Sequence, residues 1–198
     1  DMGIFIISPV DKGGALYEPP RGLAALCSQH DVSPMAFADL WLWAQGAHTL
    51  TIGAARPADL DEHLHAASLF ERREEISAPI YASWYAKVEA MFGTDFIEGW
   101  WKGLVSAYEN EEGVPVAHIY WLWWMCKAWG MYHYALKRYS ALEGNEDNWQ
   151  KDGPESFSWV PGVAFTDARE AKVRESLKDH PNPEHVIQAL REAHQWLR

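Results

Sequence analysis

Two short stretches hold the residues with the most evident chemical use. "SPVDKGG", Ser8 to Gly14, offers a hydroxyl at Ser8, an ammonium at Lys12 and two permissive glycines. "IGAARPADL", Ile52 to Leu60, offers backbone access at Gly53, a guanidinium at Arg56 and a helix start at Pro57. Glycine access, a fixed cation and a helix N-terminus are the components of an anion pocket. Taken singly, the first stretch is more often a plain turn and the arginine more often a solvated side chain. Taken together, at the ends of two successive strands, they describe a site for a phosphate-bearing ligand.

Other constellations are absent. His63 and His65 stand two apart and face different directions on a helix, and His118 and His133 lie fifteen apart, so satisfied or surface histidines are expected and no metal. No Ser/His/Asp or Cys/His arrangement supports acyl transfer. Cys27 and Cys126 lack CxxC spacing and read as two reduced, buried thiols of a cytosolic protein.

The elements that must position these residues follow from pattern. Gly3 to Ser8 is a continuous apolar run of strand length, as in a strand buried on both faces. Arg21 to Gln29 predicts a short helix after Pro19-Pro20, and Ser33 with Pro34 opens another, with apolar residues at 37, 40, 41 and 44 and Gly46 as its stop. "HTLTIG", His48 to Gly53, reads as a second strand. Pro57 then starts a helix with Leu60, Leu64 and Ala67 on one side and Asp59, Asp61 and Glu62 near the favourable end of its dipole. Strand, helix, helix, strand, helix is a parallel β/α unit, which cannot bury both sheet edges and implies further strands.

Past Phe70 the texture changes. "ERREEIS" reads as an exposed junction, followed by helices over Ala78–Phe92, Asp95–Tyr108, Val116–Leu142, Asp167–Lys178 and Pro183–Leu197, with a loop from Glu143 to Gly162. In the third of these, Trp121, Trp123, Trp124 and Trp129 with four tyrosines go nearly all round, which marks a buried helix. Lys127 in its middle argues against a membrane span. The terminal helices carry Glu with Lys or Arg at exposed-pair spacing and should cover the outside.

A net charge of −11 over 198 residues argues against nucleic acid or an anionic membrane as the main partner. Asp1-Met2-Gly3 leads straight into the apolar run without a signal peptide, and such a start is expected of the remainder of a longer, cytoplasmic chain.

"IISPVDKGGALY" and "TIGAARPADLDEHL" resemble the seventh and eighth strands, with their loops, of the aldo/keto reductases. The resemblance implies an α/β fold: the last two β/α units of a TIM (β/α)8 barrel over residues 1–70, followed by a mainly α-helical, tryptophan-rich extension over 71–198. Residues 71–165 more loosely resemble the extension of one subgroup, some of whose members carry a four-cysteine iron–sulfur motif that has no counterpart here. The implied activity is NAD(P)H-dependent reduction of a small carbonyl substrate or the reverse, with NADP or NAD as cofactor.

The resemblance further implies that Ser8, Lys12 and the loop through Gly14 lie along the pyrophosphate and nicotinamide. Gly53, Ala54, Arg56, Glu62 and His63 would surround the adenosine. His63 replaces the family's usual asparagine, and Asp59 stands where many NADPH-preferring members carry arginine. No residue matches the family's catalytic Asp, Tyr, Lys and His, so an upstream barrel half would be required. Against this stand two other readings: a non-catalytic helical protein-interaction module, to be told by an exposed patch of Trp121, Trp123, Trp124 and Trp129, and an aromatic enclosure for an apolar ligand.

Overall fold

Extended structure is confined to two short strands, β1 (Phe5–Ile7) and β2 (Thr49–Thr51), in a computed structural model that describes residues 2–11, 14–153 and 158–198. The strands pair in parallel, Phe5 opposite Thr49, Ile6 opposite Leu50 and Ile7 opposite Thr51. Among the described residues this sheet has two strands and does not close, so the expected TIM-barrel units and the α/β barrel fold class are set aside. Nor are the strands buried on both faces. Phe5 is 68% and Ile7 75% exposed, and only the central pair, Ile6 and Leu50, is partly covered. A continuous apolar run sets strand propensity, but its burial depends on what covers the sheet, and both strands make their extensive contacts only with each other.

The chain forms two compact units. The first comprises residues 1–96 with Trp129–Met131. Its helices are α1 (Arg21–Ser28), α2 (Pro34–Ala44), α3 (Asp59–Ser68) and α4 (Arg73–Phe92). Helix α1 closes in a Schellman-type turn: Val32 N–H donates to the Cys27 carbonyl and Asp31 N–H to that of Ser28, with Asp31 left-handed at φ 55°. Ser33 caps α2 by accepting the Ala36 N–H at 3.1 Å, with Pro34 in the first turn. Helix α4 begins earlier than the pattern predicts, taking in most of the charged junction, because its buried stripe Ile76, Ile80, Trp84, Val88 repeats every fourth residue. Trp129 stacks on Trp84 with ring centroids 5.5 Å apart, and its indole N–H donates to the Trp84 carbonyl at 2.9 Å. Helix α3 starts two residues after Pro57 and buries Asp59, His63 and Ala66, which turns Leu60, Leu64 and Ala67 to solvent.

The second unit comprises residues 97–128 and 132–198. No helix forms over 95–108; the segment runs as turns into a 3-10 turn at Ala107–Glu109, with Gly103 at φ 76°. The long aromatic helix divides into α5 (Val116–Trp129) and α6 (Tyr132–Gly144). Gly130, at φ 68°, makes the break. Helix α5 is core, burying Ile119, Tyr120, Leu122, Trp123, Trp124 and Met125 among others. A short helix, α7 (Glu146–Asp152), forms inside the stretch read as loop, and α8 (Glu170–Ser176) and α9 (Pro183–Trp196) follow. Helix α9 buries the stripe Val186, Ile187, Ala189, Leu190 and Ala193. No described helix is long and apolar enough to cross a membrane.

The irregular segment 160–165 runs through this core, with Val160, Val163 and Phe165 buried. The Asn145 amide holds it, donating to the carbonyls of Val160 at 2.6 Å and Gly162 at 2.9 Å. Gly162 sits at φ 100° where an added Cβ would lie 2.5 Å from the Gly113 carbonyl oxygen and 2.7 Å from the Ala107 Cβ. Gly162→Ala therefore meets both backbone strain and a clash that no rotamer relieves. It should lower stability by about 2 kcal/mol or more in urea titration.

His118 has a buried Nε2 without a partner, and burial, helped by the Arg138 charge, pushes its pKa down to about 4. The unfolded chain then binds this proton first as pH falls, so stability present above about 6.5 is lost as pH drops toward 4. Between those values, equilibrium unfolding should show a steeper loss for the wild type than for His118→Leu.

Candidate functional site

The loop after β2 is closed on itself. Asp59, at the start of α3, accepts the N–H groups of Ala55 and Arg56 through Oδ2 at 2.9 Å each, and its Oδ1 takes the Arg56 guanidinium at 3.1 Å from Nη2 and 3.3 Å from Nε. The backbone N–H of Arg56, ahead of its side chain, holds the Asp59 carboxyl below the usual carboxylate range. Thus a carboxylate of the chain fills the position where helix-start amides and a guanidinium would meet an anion.

The structure brings some of the sequence-predicted residues together and not others. Ser8, left-handed at φ 53°, follows β1 and donates its N–H to the Thr51 carbonyl at 3.0 Å. Gly53 and Ala54 follow β2 and are exposed, so Ser8 and Gly53 share the C-terminal end of the parallel pair. The Arg56 side chain is exposed but committed to Asp59. Glu62 is half-buried on α3. Lys12 lies outside the described residues.

His63 turns inward. Its Nδ1 lies 2.5 Å from Oδ2 of Asp39 on α2, with both side chains buried. Burial raises the Asp39 pKa, and the hydrogen bond and charge of His63 oppose that rise. Asp39 Oδ1 and His63 Nε2 have no hydrogen-bond partner. Sequence reasoning missed Asp39: the two residues are 24 apart, and nothing local links an aspartate on an apolar helix to a histidine on the next but one element.

Two clefts carry further polar groups. In the first unit, one of about 230 Å³ is lined by His30, Asp31, His65, Arg72 and Glu75, the last two ion-paired at 2.6 Å. In the second unit, a cleft of about 400 Å³ is lined by Glu143, Glu146, Asp167, Arg169, His194 and Arg198. The Tyr139 hydroxyl lies 2.8 Å from His194 Nδ1 and 3.3 Å from the Phe165 carbonyl oxygen. Burial first, and the Glu143 charge second, raise the Tyr139 pKa, so the group stays a neutral phenol. Arg169 bonds to Glu146 and to the Ala164 carbonyl at 3.0 Å, with Glu112 at 3.6 Å, and so acts as a structural hub. Burial pushes the thiols of Cys27 and Cys126 up to about 12, which makes both inert as nucleophiles. Among the described residues no group of three or more His, Cys, Asp or Glu side chains is arranged to hold a metal ion.

Several large apolar side chains of the first unit are exposed. Met2, Ile4, Phe5 and Ile7 are exposed along and before β1, Ile52 after β2, and Leu60 and Leu64 on α3. The tryptophans behave otherwise: Trp123 and Trp124 are buried and Trp121 and Trp129 half-buried, so they do not form one exposed patch.

The chain matches no protein-family model, no curated protein and no solved structure. Together with a two-stranded sheet that does not close, this overturns the resemblance to the aldo/keto reductases. The TIM-barrel fold and the NAD(P)H-dependent carbonyl oxidoreductase reading fall with it. The quoted loops are a local likeness of a few residues around a strand end, which short turn chemistry produces on many folds.

The Asp39–His63 pair gives a direct test of the geometry. His63→Ala leaves a buried carboxylate alone and should cost about 3–5 kcal/mol, whereas the double change Asp39→Leu with His63→Phe should recover most of that. Urea unfolding of the three proteins measures the difference.

Proposed function

We propose that the chain is a non-catalytic protein-interaction module, and that its partner surface is the uncovered strand pair of the first unit. The tryptophan-rich helix does not supply that surface. One observation carries the reading: among the described residues, a parallel sheet of two strands with both edges open, bearing Phe5 and Ile7 mostly exposed. Parallel sheets ordinarily have both faces covered, and an isolated strand pair is at best marginal in water. Exposed apolar side chains gathered in one region mark interaction sites more often than they mark chance. A reducing, cytoplasmic setting suits the free buried thiols of Cys27 and Cys126.

Site-specific photocrosslinking tests the reading. A photoreactive residue at position 5 or 7, introduced in the source cell, should give a discrete protein adduct, and one at position 175 on the exposed surface of α8 should not. No adduct at 5 and 7, or the same adducts from all three positions, would overturn it.

A further inference from the structure

The hydrogen-bond ladder fixes which backbone groups of β1 remain open. The Ile4 carbonyl accepts the Thr49 N–H, and the Ser8 N–H donates to the Thr51 carbonyl. Even-numbered positions of β1 thus face β2. The alternation of a parallel ladder turns the N–H and C=O of Phe5 and Ile7 to the other edge, where no third strand pairs among the described residues. Natural edge strands are blunted by shortness, a lysine, a proline, a bulge or a covering helix, and at three residues β1 has only the first of these. From Ile4 to Ile7 this strand has no charge, no proline and no bulge, and its side chains at 5 and 7 are exposed. Such an edge is a template for strand addition.

Charge decides between two occupants. A second copy would bring two chains of net charge −11 together. The described strand-bearing segments repeat that bias: residues 2–11 and 48–64 hold four carboxylates (Asp11, Asp59, Asp61, Glu62) against one cation, Arg56, which Asp59 already engages. Apolar contact with acidic surroundings fits a foreign strand with apolar residues at alternate positions and lysine or arginine beside them.

Resting on the interaction reading above, we infer that the open edge of β1 takes up an extended, basic segment of another polypeptide, which pairs with the backbone of Phe5 and Ile7 as a third strand. Phe5 and Ile7 supply the apolar side-chain contacts, and the acidic surroundings select lysine- or arginine-bearing segments.

The test uses the full chain and three synthetic peptides. The first is Lys-Val-Thr-Val-Lys-Val-Thr-Lys, the second has Glu for each Lys, and the third is the first with alternate backbone amides N-methylated. Amide hydrogen exchange by NMR and fluorescence anisotropy are the readouts. The basic peptide should slow exchange at Phe5 and Ile7 by about tenfold or more, and the other two should bind at least about tenfold more weakly. Unchanged exchange at Phe5 and Ile7 in excess basic peptide overturns the inference, as does equal binding of the N-methylated or the acidic peptide. In those cases specific crosslinks from positions 5 and 7 would leave the interaction reading standing without strand addition. Their absence as well would remove both.

Discussion

Helix α2 is apolar round most of its circumference, and it buries one side against α4 and another against α3. On the α3 side the sequence places a carboxylate, Asp39, only 1% exposed. A buried carboxylate needs a partner, and α3 supplies His63. That requirement sets the rotational phase of α3. With Asp59, His63 and Ala66 inward at positions i, i+4 and i+7, the residues one step on, Leu60, Leu64 and Ala67, lie about 100° round the helix and face solvent. Turning the helix to bury both leucines would gain about 1.5–3 kcal/mol for each. It would also leave the buried Asp39 carboxyl without its partner at about 3–5 kcal/mol, a cost of the same size, so the Asp39–His63 contact offsets the apolar burial that this phase gives up.

The same bookkeeping leaves the strand pair bare. Helix α2 packs its apolar surface on helices, and among the described residues no helix lies extensively along β1 or β2. The second unit shows the contrast within one chain. There α5 meets α9 through Trp123 with Glu192 and Tyr120 with His185, and the awkward polar groups are answered locally: Tyr139 by His194 and Phe165, and Asn145 by Val160 and Gly162.

What the sequence made legible was the part decided by neighbours in the chain. Ser33 before Pro34 starts α2, and Pro183 starts α9, because capping chemistry acts over three or four residues. Apolar residues round α5 announced its burial for the same reason. Gly130 was ambiguous, since a glycine in a helical pattern either costs some stability or breaks the helix, and here it takes a left-handed conformation. The phase of α3 depended on a residue 24 positions away, which no local period contains. The barrel expectation failed through a related limit. An apolar run such as Ile4 to Ile7 has the same pattern whether a sheet goes on around it or stops at two strands. At the site, the helix-start acidic residues were legible, but the capture of Ala55, Arg56 and the guanidinium by Asp59 was not, because it is a question of geometry within one turn.

An open apolar edge must still avoid pairing with itself, and beyond its three-residue length the strand carries no charge, proline or bulge. Its net charge of −11 provides a general one, since like charges raise the free energy of bringing two copies together while leaving each edge accessible. The protection is selective by sign. It opposes acidic partners and further copies of the chain and favours a basic segment, so discrimination comes from long-range charge and adhesion from the backbone edge and the side chains of Phe5 and Ile7. Because the first acts over a Debye length of about 8–10 Å and the second only in contact, the acidic surroundings sort encounters before the edge is engaged.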